Sequence, residues 1–296
     1  MTPEVSIVIA CRDAVLTLGV QLAALSRQEC PVSWNVVISD NGSTDGTLAL
    51  ARSFADRLPE LTIVDSSDRT GAGHARNVGS RATSAPLLVF CDADDEAAPG
   101  WLAAMVQALQ RHEFVAGRFE AEKLNSTTAR RSRPLQQSSG LQSSPFGPDL
   151  PHAGAGNLGI RRDVFLRNGG FDPVVGCLED TDLCWRIQLA GTPLVFAPDA
   201  VMHVRLRSSL RTMWSQGRAY GAASALLTHR YAAVEHPRPP AVAPARAGAT
   251  RRRLALLRDQ RSLGSLLWTA GWHVGHRRWH PPATVSPARP QAADAA

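Results

Sequence analysis

Four acidic residues crowd together directly after an apolar stretch in the first third of the chain. Asp92, Asp94, Asp95 and Glu96 follow the apolar run at residues 86–90. Carboxylates at this density repel one another unless a cation neutralises them, and Mg²⁺ and Mn²⁺ prefer such oxygens and share their coordination shell with substrate phosphates. Short acidic motifs also occur as solvated turns. The position after an apolar strand favours a divalent cation at Asp92 and Asp94.

A second acidic group, Glu179, Asp180 and Asp182, opens a predicted helix at residues 179–190. The helix dipole favours carboxylates in a first turn, which is a sufficient structural explanation. One of the three could instead act as a general base that removes a proton from an attacking hydroxyl. The residue types alone leave these two explanations equally open.

Three further residues have a structural and a functional interpretation each. Asp40 opens a turn-rich segment, where it could form an Asx turn or contact a nucleotide base or ribose. Arg76 lies in the glycine-rich segment 71–79 and could face a nucleotide or solvent, although the segment matches no standard phosphate-loop pattern. A lone histidine such as His203 is more often structural than a ligand.

The elements that must position these residues alternate between strands and helices. Apolar, β-branched runs predict strands, and apolar residues at helical spacing predict helices between them. The predicted strands are residues 5–10, 34–39, 61–64 and 86–90, and the predicted helices are 16–28, one that continues to residue 58, and 71–81. This alternation predicts an α/β fold with a mainly parallel central sheet flanked by helices. Ligands bind at the carboxyl ends of such strands, where Asp40 and Asp92 lie.

The second half of the chain is less regular. We predict a strand pair around Pro198 within residues 194–204. The domain prediction is a catalytic domain at 1–235, made of a donor half at 1–118, a mobile loop at 121–150 and an acceptor half at 151–235. A linker at 236–250, a basic, tryptophan-rich helical segment at 251–280 and a disordered tail at 281–296 are predicted to follow.

Charge is divided unevenly along the chain, whose net charge is +6. Residues 201–296 carry a balance of +12 and residues 1–200 one of −6. A basic tail suits an anionic surface, either membrane lipid or nucleic acid. No nucleic-acid-binding module is recognisable, so nucleic acid is not expected as a partner.

The basic tail contains an uncharged stretch at residues 262–276 between arginines, apart from its histidines. It is shorter than the roughly 20 residues that span a bilayer. Trp268, Trp272 and Trp279 share one side of a helix, which suits either an interfacial helix on anionic lipid or a helix packed on the protein. The five cysteines form no C-x-x-C pair, and no secretory signal is recognisable. We expect a cytoplasmic protein, which could also bind peripherally to the inner face of the cell membrane.

The ordered motifs together resemble family 2 glycosyltransferases, which have the GT-A fold. The resemblance covers about residues 4–220. It is carried by Val5-Ser-Ile-Val-Ile, Asp40-Asn-Gly-Ser-Thr-Asp-Gly, Gly73-His-Ala-Arg-Asn-Val-Gly, Asp92-Ala-Asp, Gly169-Gly-Phe-Asp, Glu179-Asp-Thr-Asp-Leu-Cys-Trp-Arg and His203. Each motif is weak by itself, whereas the ordered set is highly specific.

The resemblance implies a role for each matching residue. The nucleoside would be contacted by Ala10, Asp40 and Arg76. The metal would be held by Asp92, Asp94 and His203, with Asp92 also close to the ribose. The catalytic base would be Asp180, with Glu179 orienting the acceptor or the metal shell, Asp182 supporting the helix, and residues 154–157 lining the acceptor side.

The implied activity is metal-assisted transfer of a sugar, with inversion, from a nucleotide-diphosphate sugar to a hydroxyl of a glycan or a lipid-linked saccharide. The cofactor would be Mn²⁺ or Mg²⁺. The alternatives are a sugar-phosphate nucleotidyltransferase and a non-catalytic nucleotide-sugar-binding protein. Two departures from the family pattern are Asn41, where many relatives have a second Asp, and Cys177-Leu178 before the second acidic group.

Overall fold

The computed structural model describes residues 2–132, 135–206, 209–234 and 260–280. The predicted linker at 236–250 and the predicted tail at 281–296 lie outside these residues. Residues 2–124, 135–142 and 151–205 form one compact unit, here called the sheet unit. The described parts of 125–134, 143–150 and 206–296 form a second, the helical unit.

The first half of the sheet unit is a parallel sheet with the strand order β3-β2-β1-β4. Its three inner strands are rich in Val, Ile and Leu, because both of their faces are covered and alternation with polar residues is not needed; the edge strand is partly exposed. The elements are β1 Val5–Cys11, α1 Leu18–Leu25, β2 Trp34–Asp40, α2 Thr47–Arg52, β3 Leu61–Asp65, α3 Ala72–Arg81 and β4 Leu87–Asp92.

The second half of the sheet is mixed, with the order β4-β7-β6-β8-β5. Strand β7 is antiparallel to both β4 and β6, β6 is parallel to β8, and β5 is antiparallel to β8. The elements are β5 Glu96–Ala97, α4 Trp101–Arg111, β6 Phe114–Glu120, α5 Thr127–Ser132, β7 Asn157–Arg161, α6 Arg162–Arg167, α7 Glu179–Leu189 and β8 Val195–His203. Of these helices, α5 belongs to the helical unit.

Two predicted elements are wrong in detail. The strand pair around Pro198 is one continuous strand, β8, whose register against β6 shifts between Gly117 and Arg118. Proline has no N–H to donate to a ladder, so it is accommodated in this irregularity instead of ending the strand. The helix expected to continue to Leu58 ends at Arg52 and is followed by a short 3₁₀ turn, Ala55–Arg57.

The helical unit is built on two helices, α8 Leu210–Arg230 and the C-terminal helix Gln260–Arg278. They approach so closely that a Cβ added at Gly217 would lie 2.2 Å from the carbonyl oxygen of Trp268, and one at Gly221 would lie 2.0 Å from that of Trp272. Glycines four residues apart permit such backbone contact. The tryptophan side of the C-terminal helix also faces α8, since Trp268 contacts Tyr220.

Helix α3 packs tightly across the parallel strands and thereby sets the position of Arg76. A Cβ added at Gly79 would lie 2.6 Å from Cγ1 of Val8 and 3.3 Å from Cβ of Ser39. Asn77 fixes the other side of the helix, because its side chain both donates to the carbonyl oxygen of Phe171 (2.7 Å) and accepts from its N–H (2.9 Å).

Replacement of Gly79 by alanine is expected to destabilise the protein. The added methyl group collides with fully buried Val8, and such overpacking costs about 1–3 kcal/mol, more than the gain in helix propensity. Gly140→Ala is the matched control, because nothing lies within 4 Å of a Cβ at that position. Urea unfolding followed by circular dichroism measures the difference. Equal midpoints for the two variants would contradict the described packing of α3.

Candidate active site

Three carboxylates gather where β4 ends. One oxygen from each of Asp92, Asp94 and Asp95 lies within 4.8 Å of the others. The turn that brings them together is anchored by Gln21, whose side chain donates to the carbonyl oxygen of Asp92 (3.2 Å) and accepts from the N–H of Ala97 (2.8 Å). An all-oxygen set of this size fits a hard divalent cation such as Mg²⁺ or Mn²⁺.

Asp95 is the most buried of the three acids, with 5% of its surface exposed. Burial, followed by the charges of Asp92 and Asp94, holds the pKa of Asp95 well above its usual range. Arg205 contributes contacts just beyond β8: its N–H donates to Asp95 Oδ1 (2.9 Å) and its Nε donates to the carbonyl oxygen of Asp94 (3.2 Å). The cluster therefore concentrates negative charge around one buried and two partly exposed carboxylates, where a cation would be stabilised.

Arg76 joins this cluster to the second acidic group. Its guanidinium donates to Asp92 Oδ1 (2.7 Å) and to Glu179 Oε1 (2.9 Å), and it lies over the ring of Phe171 at 5.4 Å. Only 6% of the arginine side chain is exposed. Arg76 lies in the first turns of α3, close to the helix predicted for residues 71–81, and the contacts found for it are with carboxylates on both sides of the site.

Glu179 sits at the first position of α7 and is nearly buried. Desolvation, reinforced by the adjacent charge of Asp180, raises the pKa of Glu179 to about 7, although Arg76 opposes the shift. The preceding residue, Leu178, has a φ of +61°, in the left-handed region that costs non-glycine residues about 1–3 kcal/mol. This backbone turn begins the helix at the residue that meets Arg76.

The other two acids of α7 differ sharply in their surroundings. Asp182 is fully buried and pairs with Arg186 (2.7 Å), which also donates to the carbonyl oxygens of Asn168 and Gly170. Asp182 is therefore committed to holding the 168–170 turn against α7. Asp180 is partly exposed, and its Oδ2 accepts from the N–H of Ala155 (3.2 Å).

The predicted nucleoside contacts lie along the carboxyl ends of β1 and β2. Ala10 is opposite Asp92 in the register of β1 and β4, and Asp40 closes β2. One oxygen of Asp40 accepts from the N–H of Ser43 (3.1 Å), whereas its Oδ1 is buried and has no hydrogen-bond partner among the described residues. Such an orphaned acceptor costs about 1–3 kcal/mol unless a ligand satisfies it.

The hydrogen bonds of Asn41 account for an asparagine at this position, where the family pattern often has an aspartate. Its amide donates to the carbonyl oxygens of Ser66 and Arg69 and accepts from the N–H of Gly71 (2.9 Å). An aspartate could accept the last bond but could donate neither of the first two. Asn41 thus fastens the 66–71 loop ahead of α3.

His203 ends β8, and its Nδ1 forms a hydrogen bond with Glu120 at the end of β6. Among the described residues, the group of acids close enough to share a cation contains the three aspartates and not His203. The role of His203 as a metal ligand stays a prediction.

Glu120 and Gln137 are residues that the sequence analysis did not single out. Gln137 is buried, donates to the carbonyl oxygen of Gly117 (2.8 Å) and accepts from the N–H of Gly154 (2.8 Å), so part of the predicted 121–150 loop is anchored at the site. No periodic pattern marks either residue; only sheet register and tertiary contact reveal them. Asn157, expected to line the acceptor side, is fully buried and donates to the carbonyl oxygens of Arg118 and Ala200.

Comparison with protein families identifies the class. The family described as Glycosyl transferase family 2 matches residues 6–168, more than half of the chain. The chain belongs to glycosyl transferase family 2, which confirms the resemblance seen in its motifs.

Individual relatives agree with this assignment. The chain is 29% identical over 204 residues to glycosyltransferase AglE of Haloferax volcanii, an alignment covering 67% of this chain and 66% of that protein. The alignments with the next three curated relatives take in only 24–43% of their lengths.

Solved structures share the fold. The mannosyltransferase PcManGT from Pyrobaculum calidifontis, in complex with GDP-Man and Mn²⁺, superposes with a TM-score of 0.65 at 20% identity, covering 94% of this chain and 88% of that one. TarS 1–349 of S. aureus, in complex with UDP-GlcNAc, gives 0.54 at 15% identity, covering 77% and 71%. The predicted GT-A-like α/β fold with a C-terminal helical extension is confirmed.

Glu179 should make the stability of the protein depend on pH. The pKa of Glu179 is about 7 in the folded protein, above its ordinary value of 4.5. Between pH 4.5 and pH 7 the folded state therefore binds more protons at this group than the unfolded state does. The contribution of Glu179 to the free energy of unfolding therefore falls as pH rises from about 4.5 to 7, by at most about 1.4 kcal/mol per pH unit. Glu179→Gln removes this component, so the variant should lose less stability than the wild type over that range.

Urea unfolding of both proteins between pH 4.5 and 8 measures the difference. Glu113→Gln, at a half-exposed glutamate, is the control and should follow the wild-type slope. Parallel curves for the wild type and Glu179→Gln would mean that Arg76 keeps Glu179 ionised throughout.

Proposed function

We propose that the protein transfers a sugar from a nucleotide-diphosphate sugar to a hydroxyl of a glycan or lipid-linked saccharide, with inversion at the anomeric carbon. The observation that carries the proposal is the continuous network Asp92–Arg76–Glu179, which joins a cluster of oxygen ligands to a second group of acids. A transferase needs both: a site that holds a diphosphate and a base that activates the acceptor. The donor half would be residues 1–118 and the acceptor half 151–235.

The donor nucleotide would lie at the carboxyl ends of β1, β2 and β4, in contact with Ala10, Asp40, Arg76 and Asp92. The orphaned Oδ1 of Asp40 supports this, because uracil, thymine and guanine each offer a ring N–H that would satisfy a buried acceptor. Relatives solved with GDP-Man and UDP-GlcNAc support a nucleotide sugar as the ligand class.

Asp92 and Asp94 would hold Mn²⁺ or Mg²⁺, with His203 as a further ligand. Their fit is supported by the clustering of the aspartate oxygens within 4.8 Å and by the Mn²⁺ in the PcManGT complex. When bound, the cation supplies Lewis-acid stabilisation of the departing diphosphate. Asp95, tied to the backbone of Arg205, would keep the acidic turn in place.

Asp180 would be the catalytic base, and Glu179 would orient the acceptor or the metal shell. Asp180 accepts the proton of the acceptor hydroxyl while that oxygen forms its bond to the anomeric carbon and the bond to the diphosphate breaks. Asp182 is excluded from this role by its complete burial and its pairing with Arg186. The pairing of Glu179 with Arg76 supports the assignment of the base to Asp180, for which no such cation partner is found among the described residues.

We also propose that the C-terminal helix lies on an anionic membrane surface at the inner face of the cell membrane. No helix in the described ranges is long and apolar enough to cross a bilayer. The tryptophans face α8, but the opposite side of the C-terminal helix exposes Leu266 and Ala270. Arginines precede and follow this apolar patch, a pattern that suits an interfacial helix on acidic lipid.

Two substitutions should separate donor binding from transfer. Asp94→Asn should weaken the Mn²⁺-dependent thermal stabilisation given by nucleoside diphosphates, because it removes a charged ligand. Asp180→Asn should retain that stabilisation and lower transfer by about 100-fold or more, the contribution typical of a general base. Thermal shift with UDP, GDP and dTDP in the presence of Mn²⁺ measures binding and identifies the nucleotide by mass action.

The transfer assay would use the corresponding nucleotide sugars, with release of nucleoside diphosphate as the signal. Full activity of Asp94→Asn would rule out the metal assignment, and normal turnover of Asp180→Asn would shift the base to Glu179.

Leu266→Glu should weaken binding to vesicles that contain acidic lipid. The substitution places a charge in the exposed apolar patch, where Leu266 is 42% exposed, so the fold should be retained. Leu166→Glu is the matched control, because Leu166 is also 42% exposed and lies on α6 of the sheet unit. Co-sedimentation with phosphatidylglycerol-containing and neutral vesicles measures the partition. Equal pelleting of both variants with acidic vesicles would refute the membrane proposal.

A further inference from the structure

His203 stands between two carboxylates in the mixed half of the sheet. The register of β8 pairs it with Glu96 on β5 and with Glu120 on β6. Residues directly opposite one another on adjacent strands share a face of the sheet, so the imidazole has an acid on each side.

Lys123 pairs with one of the two acids. Its ammonium group pairs with Glu96 Oε1 at 2.7 Å, and Lys123 is the single lysine of the chain. With Glu96 neutralised in this way, Glu120 is the carboxylate that meets His203, at Nδ1. Each carboxylate of this row therefore has a partner of its own: Glu96 has Lys123, and Glu120 has His203.

A carboxylate at Nδ1 fixes the tautomer of a neutral imidazole. Nδ1 must carry the proton that is donated to Glu120, which leaves the lone pair on Nε2. A metal-ligating histidine is commonly held by a carboxylate in this manner, which fixes the ring and raises its basicity as a ligand.

The end of β8 also reaches the acidic turn. Two residues beyond His203, Arg205 donates its N–H to Asp95 and its Nε to the carbonyl oxygen of Asp94. The strand end that carries His203 is thus fastened to the cluster of oxygen ligands.

We propose that Glu120 is a positioning residue that holds His203 as the Nδ1–H tautomer and so presents Nε2 to the divalent cation at Asp92 and Asp94. The proposal rests on the proposed metal site. Glu120 would act on the metal indirectly, by orienting His203. Lys123 would keep Glu96 from competing for the imidazole.

Metal affinity tests the proposal without any turnover. Mn²⁺ alone is titrated into the full chain, and the free aquo ion is counted by electron paramagnetic resonance. Glu120→Gln should raise the Mn²⁺ dissociation constant about 10-fold or more, as loss of such an outer partner typically does. Glu113→Gln, at the residue immediately before β6, is the control and should bind like the wild type. Glu120→Gln should have no further effect in a His203→Ala background.

The tautomer is measured directly on the metal-free wild-type protein. Long-range ¹H–¹⁵N correlation spectra distinguish the two neutral imidazole tautomers, and a His203→Gln variant assigns the signal among the nine histidines. Wild-type His203 should carry its proton on Nδ1, and Glu120→Gln should populate the Nε2–H form. This readout does not depend on metal binding or on catalysis.

The outcomes separate this proposal from the proposed function. Loss of Mn²⁺ binding in Asp94→Asn, combined with unchanged binding in Glu120→Gln, would overturn the role of Glu120 and leave the metal site standing. Unchanged binding in Asp94→Asn would overturn both. A proton on Nε2 in the wild-type protein would overturn the role of Glu120 whatever the metal affinities.

Discussion

The buried guanidinium of Arg76 is the interaction on which the arrangement of the site depends. It pairs with Asp92 on one side and Glu179 on the other, with almost no solvent to compensate for the loss of either partner. Removing Arg76 would leave the nearly buried Glu179 carboxylate without its cation, and removing one acid would leave the arginine with a single partner. The tight packing of α3 and the bonds from Asn77 to Phe171 therefore serve to place one side chain between two acids.

The mixed sheet explains how the two acidic groups come to share that arginine. Parallel strands β1, β2 and β4 end at one edge, and antiparallel β7 begins next to the end of β4, where Asn157 is opposite Cys91. The segment before β7 consequently passes close to Asp92, and Ala155 in that segment donates to Asp180. Because β7 runs antiparallel to β4, the segment before β7 lies at the same edge of the sheet as the carboxylates that follow β2 and β4.

The helical unit has a different physical basis. Glycines on α8 permit backbone contact with the C-terminal helix, and the tryptophans that share one side of that helix face α8. The tryptophan spacing would also suit contact with lipid, but in this structure the tryptophans pack against another helix of the protein. The apolar surface that remains exposed is the opposite side, at Leu266 and Ala270, and this surface supports the proposed membrane contact.

The sequence by itself determined the parallel half of the fold and the identity of the acidic residues. Buried strands covered on both faces leave continuous apolar runs, and turn residues mark their ends, so β1 to β4 and the positions of Asp40 and Asp92 could be predicted. It could not reveal β6 and β7, the register that joins Glu120 to His203, or the loop residue Gln137 that holds Gly154. These depend on pairs distant in the chain, and local periodicity contains no information about them. Only the tertiary structure decided that Arg76 binds two carboxylates at once and that Asp182 is structural, because burial and charge neutralisation are set by what surrounds a residue.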